Sequence, residues 1–237
     1  MFADIHTHIL HNIDDGPENL EQSVELLKAA VQNGCEKIIA TPHFYAERHS
    51  LVERLKIADS RYADLQNYIL QNKIPVSLLQ GFEVRYFGGI SKIDALDKLC
   101  INGSKVLLLE LEPLPFTEQV IDEILDLNYF GYTIVLAHVE RYAKISGFKA
   151  IKRLIANGVV LAQCNASSFL SGIFQRSAMR LLKEGLVSVI ASDMHSLELR
   201  PPVLNEAYEV IESKFGVELK NKLIGNAEEI FTACLKK

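Results

Sequence analysis

The chain has 237 residues, 49% of them apolar, and a formal net charge of −5. That length can bury a full core and fits one large domain as well as two small ones; with no linker, low-complexity tract or repeat to split it, one folded domain over residues 1–237 is expected. The acidic balance, with pI near 5.8, argues against a nucleic-acid surface, and apolar runs such as Val106 to Leu109 are strand-sized rather than membrane-spanning.

The first residues run straight into an apolar stretch with no basic or hydrophobic leader, so a cytoplasmic location is expected. Cys35, Cys100, Cys164 and Cys234 are widely spaced without a CxxC pair, which reads as reduced thiols rather than a disulfide frame or zinc ribbon.

In chain order, short runs rich in Val, Ile and Leu alternate with amphipathic stretches. The runs are Phe2 to Ile5, Lys37 to Ala40, Val76 to Gln80, Val106 to Leu109, Tyr132 to Ala137, Val159 to Gln163 and Val187 to Ala191. They lack strict alternation, as parallel strands covered on both faces do. Between them, Leu20 to Gln32, Leu51 to Gln71, Thr117 to Leu127, Lys149 to Ala156 and Phe174 to Glu184 carry helical periodicity. Asn33-Gly34, Gly131, Asn157-Gly158 and Gly185 follow as left-handed caps. Seven β–α units predict an α/β fold with a closed or nearly closed parallel barrel; an open doubly wound sheet is the alternative.

Polar residues fall in register with the strand ends. His6-Thr7-His8 follows the first run, Thr41-Pro42-His43 the second, Gly81-Phe82-Glu83 the third and Glu110-Leu111-Glu112 the fourth. His138-Val139-Glu140-Arg141 follows the fifth and Ser192-Asp193-Met194-His195 the seventh. The sixth ends in Cys164-Asn165-Ala166-Ser167-Ser168, polar without an obvious ligand and suited to lining a pocket. One histidine after a strand is usually a hydrogen-bonded rim residue. Five histidines (His6, His8, His43, His138, His195) with Asp15, Glu83, Glu110 and Asp193 at equivalent positions point instead to a metal cluster on one rim. His11 and His49 lie beyond their strand ends and read as loop residues.

Imidazole and carboxylate donors without thiolate suit Mn, Fe or Zn. About nine candidates exceed one ion's needs, so two or three are implied, with Glu83 suited to bridging a pair roughly 3.5–4 Å apart. Such a cluster favours phosphate-ester hydrolysis by a metal-bound hydroxide, with Arg141 and Arg200 gripping the phosphoryl oxygens. A cysteine-dependent phosphatase needs Arg six residues after its nucleophile. Here Cys35, Cys100 and Cys164 lead to Thr41, Val106 and Leu170, which excludes it. No GxxxxGK[ST] or GxGxxG motif offers a nucleotide cradle.

The set DIHTH at Asp4–His8, IDDGP at Ile13–Pro17, ATPH at Ala40–His43, GFE at Gly81–Glu83, AHVER at Ala137–Arg141 and ASDMH at Ala191–His195 resembles the polymerase and histidinol phosphatase (PHP) superfamily. Within it, IDDGP and the later Arg200-Pro201-Pro202 resemble metal-dependent bacterial protein-tyrosine phosphatases of the CpsB/YwqE type. The resemblance implies a distorted (β/α)7 TIM-like barrel, three divalent metal ions, commonly manganese, and a phosphotyrosine substrate on the C-terminal tail of a cognate tyrosine autokinase that controls polysaccharide synthesis. It implies one ion on His6, His8, Glu83 and Asp193, a second on Glu83, Glu110 and His138, and a third on Asp15, His43 and His195, with Arg141 and Arg200 as phosphate-binding and catalytic arginines. Asp14 competes with Asp15, and Glu112 with Glu110. Histidinol-phosphate phosphatase and a non-catalytic metal-binding PHP module are the alternative functions.

Overall fold

The computed structural model describes residues 2–155 and 160–235. Nine strands lie among them: β1 (Phe2–Thr7), β2 (Cys35–Ala40), β3 (His43–Phe44), β4 (Ser77–Gln80), β5 (Glu83–Arg85), β6 (Val106–Glu110), β7 (Thr133–Leu136), β8 (Val160–Asn165) and β9 (Val189–Ala191). They form two parallel sheets, β1-β2-β4 and β3-β5-β6-β7-β8-β9. The architecture is α/β with parallel sheets. No closed barrel is detected among the described residues, and between β9 and β1 the ladder is reduced to one bridge, Thr7 to Met194.

Seven runs become nine strands because two of them change sheets. After β2, Thr41-Pro42 interrupts the ladder, since proline has no N–H to donate, and β3 continues in the second sheet. After β4, Gly81-Phe82 does the same before β5. A Cβ on Gly81 would lie 2.8 Å from the Ile101 Cα, so only glycine fits this crossing. These jumps bring His43 and Glu83 into direct register across β3 and β5.

The helices are α1 (Leu20–Gln32), α2 (Leu51–Gln71), α3 (Glu118–Tyr129), α4 (Val139–Ile145), α5 (Gly147–Ile155), α6 (Ser167–Leu170), α7 (Gln175–Lys183), α8 (Leu204–Phe215) and α9 (Val217–Ala233). Asn19, Ser50 and Thr117 cap α1, α2 and α3 by accepting from backbone N–H groups three residues on. Helix α3 runs two residues past the predicted Leu127, and α5 starts at Gly147 rather than Lys149. Helices α4, α6, α8 and α9 were not predicted. The predicted Ala156 helix end, the Asn157-Gly158 cap and the Val159 strand start lie outside the described residues. No helix is long and apolar enough to cross a membrane among the described residues.

Ala3, Ile5, Ile39, Leu108, Val135 and Val189 from five strands cluster with Ile230 and Phe231 of α9. A stripe of this kind stabilises by about 1.5–3 kcal/mol per large side chain, and it fixes the sheet beneath the polar strand ends. A larger cluster packs the helices against the opposite sheet faces.

Candidate metal centre

The C-terminal strand ends meet at one rim and bring together His6, His8, Asp15, His43, Glu83, Glu110, His138, Asp193 and His195 in four overlapping sets. The sets are His8, Asp15, His43, His195; His6, His138, Asp193; His6, His8, Glu83; and His43, Glu83, Glu110, with donor atoms of each set within 4.8 Å of one another. His8 therefore neighbours the Asp15 set as well as His6, and His138 lies with His6 and Asp193 in addition to Glu83. His138 and Asp193 both hold positive φ, 56° and 55°, a left-handed backbone unusual for non-glycine residues and common where side chains are aimed at a site.

Glu83 is the hub. It is fully buried, and each of its oxygens faces two imidazoles. Oε1 lies 2.7 Å from His138 Nε2 and 3.5 Å from His6 Nε2; Oε2 lies 2.7 Å from His43 Nδ1 and 3.3 Å from His8 Nε2. Burial pushes its carboxyl up, but the His6 and His138 charges outweigh this and hold it well below the usual range.

The donor atoms fit divalent cations. His6 Nδ1 faces the Gln163 carboxamide oxygen at 3.2 Å, and His8 Nδ1 faces Asp14 Oδ2 at 2.8 Å. Both Nδ1 atoms are thereby assigned a hydrogen, and the two Nε2 atoms confront each other 3.2 Å apart, too close for both to carry one. Glu83 Oε2 and His43 Nδ1, 2.7 Å apart, are not aligned for a hydrogen bond, and neither is His195 Nε2 with Asp15 Oδ1 at 3.2 Å. Facing ring nitrogens and buried polar atoms without aligned hydrogen bonds are costly unless a cation or proton lies among them.

The two aspartates of IDDGP separate by role. Asp14 is turned inward, accepting from His8 Nδ1 at 2.8 Å and from the His43 and Gly16 N–H groups at 3.0 Å. Burial raises it, but the His8 charge and hydrogen bond outweigh burial and hold Asp14 at about 2. Asp15 instead points at His195 Nε2 (3.2 Å) and His43 Nε2 (3.4 Å), and these two imidazoles hold its carboxyl far below the ordinary range. Glu110 enters the cluster, 4.0 Å from His138 Nε2, whereas Glu112 is exposed.

Arg141 and Arg200 stand at the mouth. Arg141 Nη2 is 3.2 Å from Asp193 Oδ2, and Arg200 Nη2 is 2.5 Å from Asp15 Oδ2. Each is about one-third exposed, 33% and 38%, so part of each guanidinium faces solvent. His11 and His49 stay outside the cluster, near Asp64 and the Tyr45 N–H.

Arg85, Tyr45 and Gln163 were not singled out from the sequence, and Asn165 only as pocket lining. Arg85 grips Glu110, and its guanidinium lies 4.8 Å from the Tyr45 ring centroid. Tyr45 stacks on His43 at 5.0 Å, beside a cavity of about 210 Å³ lined also by Asp15, Arg48 and Arg54. Gln163 and Asn165 lie within β8, Arg85 ends β5 and Tyr45 directly follows β3.

A family model described as capsular polysaccharide synthesis, CpsB/CapC, matches residues 2–232. The tyrosine-protein phosphatase CpsB of Streptococcus agalactiae serotype III (strain NEM316) is 32% identical, covering 96% of this chain and 97% of its own. The tyrosine-protein phosphatase YwqE of Bacillus subtilis (strain 168) is also 32% identical, covering 95% and 89%. A chain from the crystal structures of YwqE from Bacillus subtilis and CpsB from Streptococcus pneumoniae, described as unique metal-dependent tyrosine phosphatases, superposes with TM-score 0.86 at 29% identity, covering 98% and 94%. An amidohydrolase from Mycoplasma synoviae shares the fold alone, at TM-score 0.57 and 12% identity. With nearly its whole length matched, the chain belongs to the CpsB/CapC family.

Proposed function

We propose that this chain is a metal-dependent protein-tyrosine phosphatase of capsular or exopolysaccharide synthesis, working as a single domain on a distorted (β/α)7 barrel. The observation that carries this is the nine-residue donor cluster, buried but for Asp15 and part of His43, opening onto two arginines. The ligands are read as His6, His8, Asp15, His43, Glu83, Glu110, His138, Asp193 and His195, holding three divalent ions, with manganese favoured over Fe or Zn. Bound ions supply water activation and neutralise phosphoryl charge.

The chain's own residues then divide the remaining work. Arg141 and Arg200 bind and orient the phosphoryl oxygens, the geometry guanidinium forks suit. Their ion pairs with Asp193 and Asp15 keep them facing the cluster before substrate arrives. Tyr45, stacked on His43, gives the mouth an aromatic wall that suits an aryl ester better than an alkyl one. A phenol leaving group with pKa about 10 departs with little help from a general acid, so none of the rim residues is assigned that role. The substrate is read as a phosphotyrosine protein, the C-terminal tail of a cognate bacterial tyrosine kinase, met in the cytoplasm; the family description supplies the capsular context.

A side-by-side assay with a phosphotyrosine peptide and histidinol phosphate, on manganese-loaded and metal-stripped protein, tests this reading. Metal-dependent phosphate release from the peptide, at least tenfold more efficient than from histidinol phosphate, is expected. Preference for histidinol phosphate, or no hydrolysis of either, contradicts it.

A further inference from the structure

The end of β8 offers no ligand, yet three ligand side chains rest on it. Gln163 and Asn165, two residues apart on one strand face, are 0% and 4% exposed. Gln163 Oε1 accepts from His6 Nδ1 and from the His138 backbone N–H, both at 3.2 Å. Its Nε2 donates to Asn165 Oδ1 at 2.9 Å, and the same Oδ1 accepts from His138 Nδ1 at 2.9 Å. Asn165 Nδ2 completes the chain by donating to Asp193 Oδ2 at 2.7 Å. The far end is anchored on buried Glu140, whose Oε1 accepts from the Asn165 N–H at 3.1 Å and from Ser168 Oγ at 3.0 Å.

Every role in this chain is dictated by its neighbours. Ionised Asp193 only accepts, so Asn165 turns its NH₂ toward it and its oxygen toward His138. That oxygen takes the Gln163 NH₂, which turns the Gln163 oxygen toward His6. Both histidines must therefore carry hydrogen on Nδ1, leaving Nε2 free toward Glu83.

We propose that Gln163 and Asn165 form a carboxamide relay that sets the tautomers of His6 and His138 and the rotamer of Asp193, positioning ligands from three strand ends for the metal ions. The inference rests on reading those three residues as ligands. Two amides suit the place because each joins a fixed acceptor to a fixed donor without charge. A carboxylate at residue 163 would set an acceptor against Asn165 Oδ1, and one at residue 165 would set an acceptor against Asp193 Oδ2.

Zinc-loaded protein is diamagnetic, so long-range ¹H–¹⁵N correlation spectra report each histidine tautomer directly. The Nδ1–H form is expected for both His6 and His138. Gln163→Met and Asn165→Leu, which keep volume and remove the polar ends, are expected to bind zinc about 10–100-fold more weakly. Asn165→Asp, which keeps the acceptor and loses the donor, is expected to lose affinity to a similar degree.

An Nε2–H form at either histidine in the natural chain overturns the relay, as does unchanged zinc affinity in folded Gln163→Met and Asn165→Leu. If neither variant folds, the spectrum of the natural chain decides alone. A chain that binds no zinc overturns the relay together with the ligand assignment beneath it. Zinc binding with both expected tautomers, but no cleavage of phosphotyrosine, overturns only the proposed reaction.

Discussion

Arg85 places Nε 3.1 Å and Nη2 2.8 Å from a single oxygen of Glu110, Oε2, and leaves Glu110 Oε1 facing His138. One carboxylate oxygen is thus held by the protein and the other is presented to the cluster. Arg85→Met should weaken metal binding by about 10–100-fold, with activity recovering at higher manganese. The check is kcat/KM as a function of manganese concentration. Activity still depressed at saturating manganese would show instead that Arg85 meets the substrate.

As a proposed ligand, His43 should make metal binding depend on pH. In the metal-free chain, burial lowers its pKa, but Asp15 and Glu83 outweigh burial and lift it to about 9. A folded pKa above the ordinary ~6.5 means stability fully present below about pH 6.5 and lost as pH rises toward 9. An ion needs the lone pair that the proton occupies, so metal affinity moves the other way. Metal-free protein should melt at progressively lower temperature from pH 6.5 to 9, while manganese affinity rises across the same window; thermal melts and metal titrations at three pH values read both trends.

Gly16 closes the IDDGP turn against the first strand. A Cβ there would run into the His8 carbonyl oxygen, a backbone atom that cannot move aside. Gly16→Ala should displace the segment holding Asp14 and Asp15 and remove metal from the His8, Asp15, His43, His195 set. Metal analysis should show loss of about one ion per chain, and a full complement would refute the link.

All four cysteines are buried. Burial raises their thiols, Cys100 to about 12 and Cys234 to about 11, where little thiolate forms at neutral pH. Iodoacetamide should leave phosphate release unchanged, measured before and after treatment of metal-loaded protein. Rapid inactivation would return a cysteine to the mechanism.

Much of this was legible because strand ends carry chemistry in a recognisable place. Period and composition located all seven parallel runs, and the polar residue after each run indicated the rim on which His6, His8, His138 and Asp193 meet. The sheet change at Pro42 and Gly81 was not legible, because a two-residue strand such as β3 has no periodicity to read. Asp14 and Asp15 are adjacent and chemically alike, so only the turn at Gly16 assigns one inward and the other to the cluster. Gln163 escaped, and Asn165 read only as pocket lining, because a carboxamide announces no metal chemistry until its hydrogen-bond partners are known.

On the reading proposed above, the rim residues hold metal and the metal-loaded site cleaves phosphotyrosine. Metal content and phosphate release from a phosphotyrosine peptide, measured on the same preparations of the natural chain and Asp193→Ala, test it most directly. The natural chain should lose activity when stripped and regain it with manganese, while Asp193→Ala stays folded, binds less metal and turns over at least 100-fold more slowly. Full turnover by the stripped chain, or by Asp193→Ala, would contradict the account.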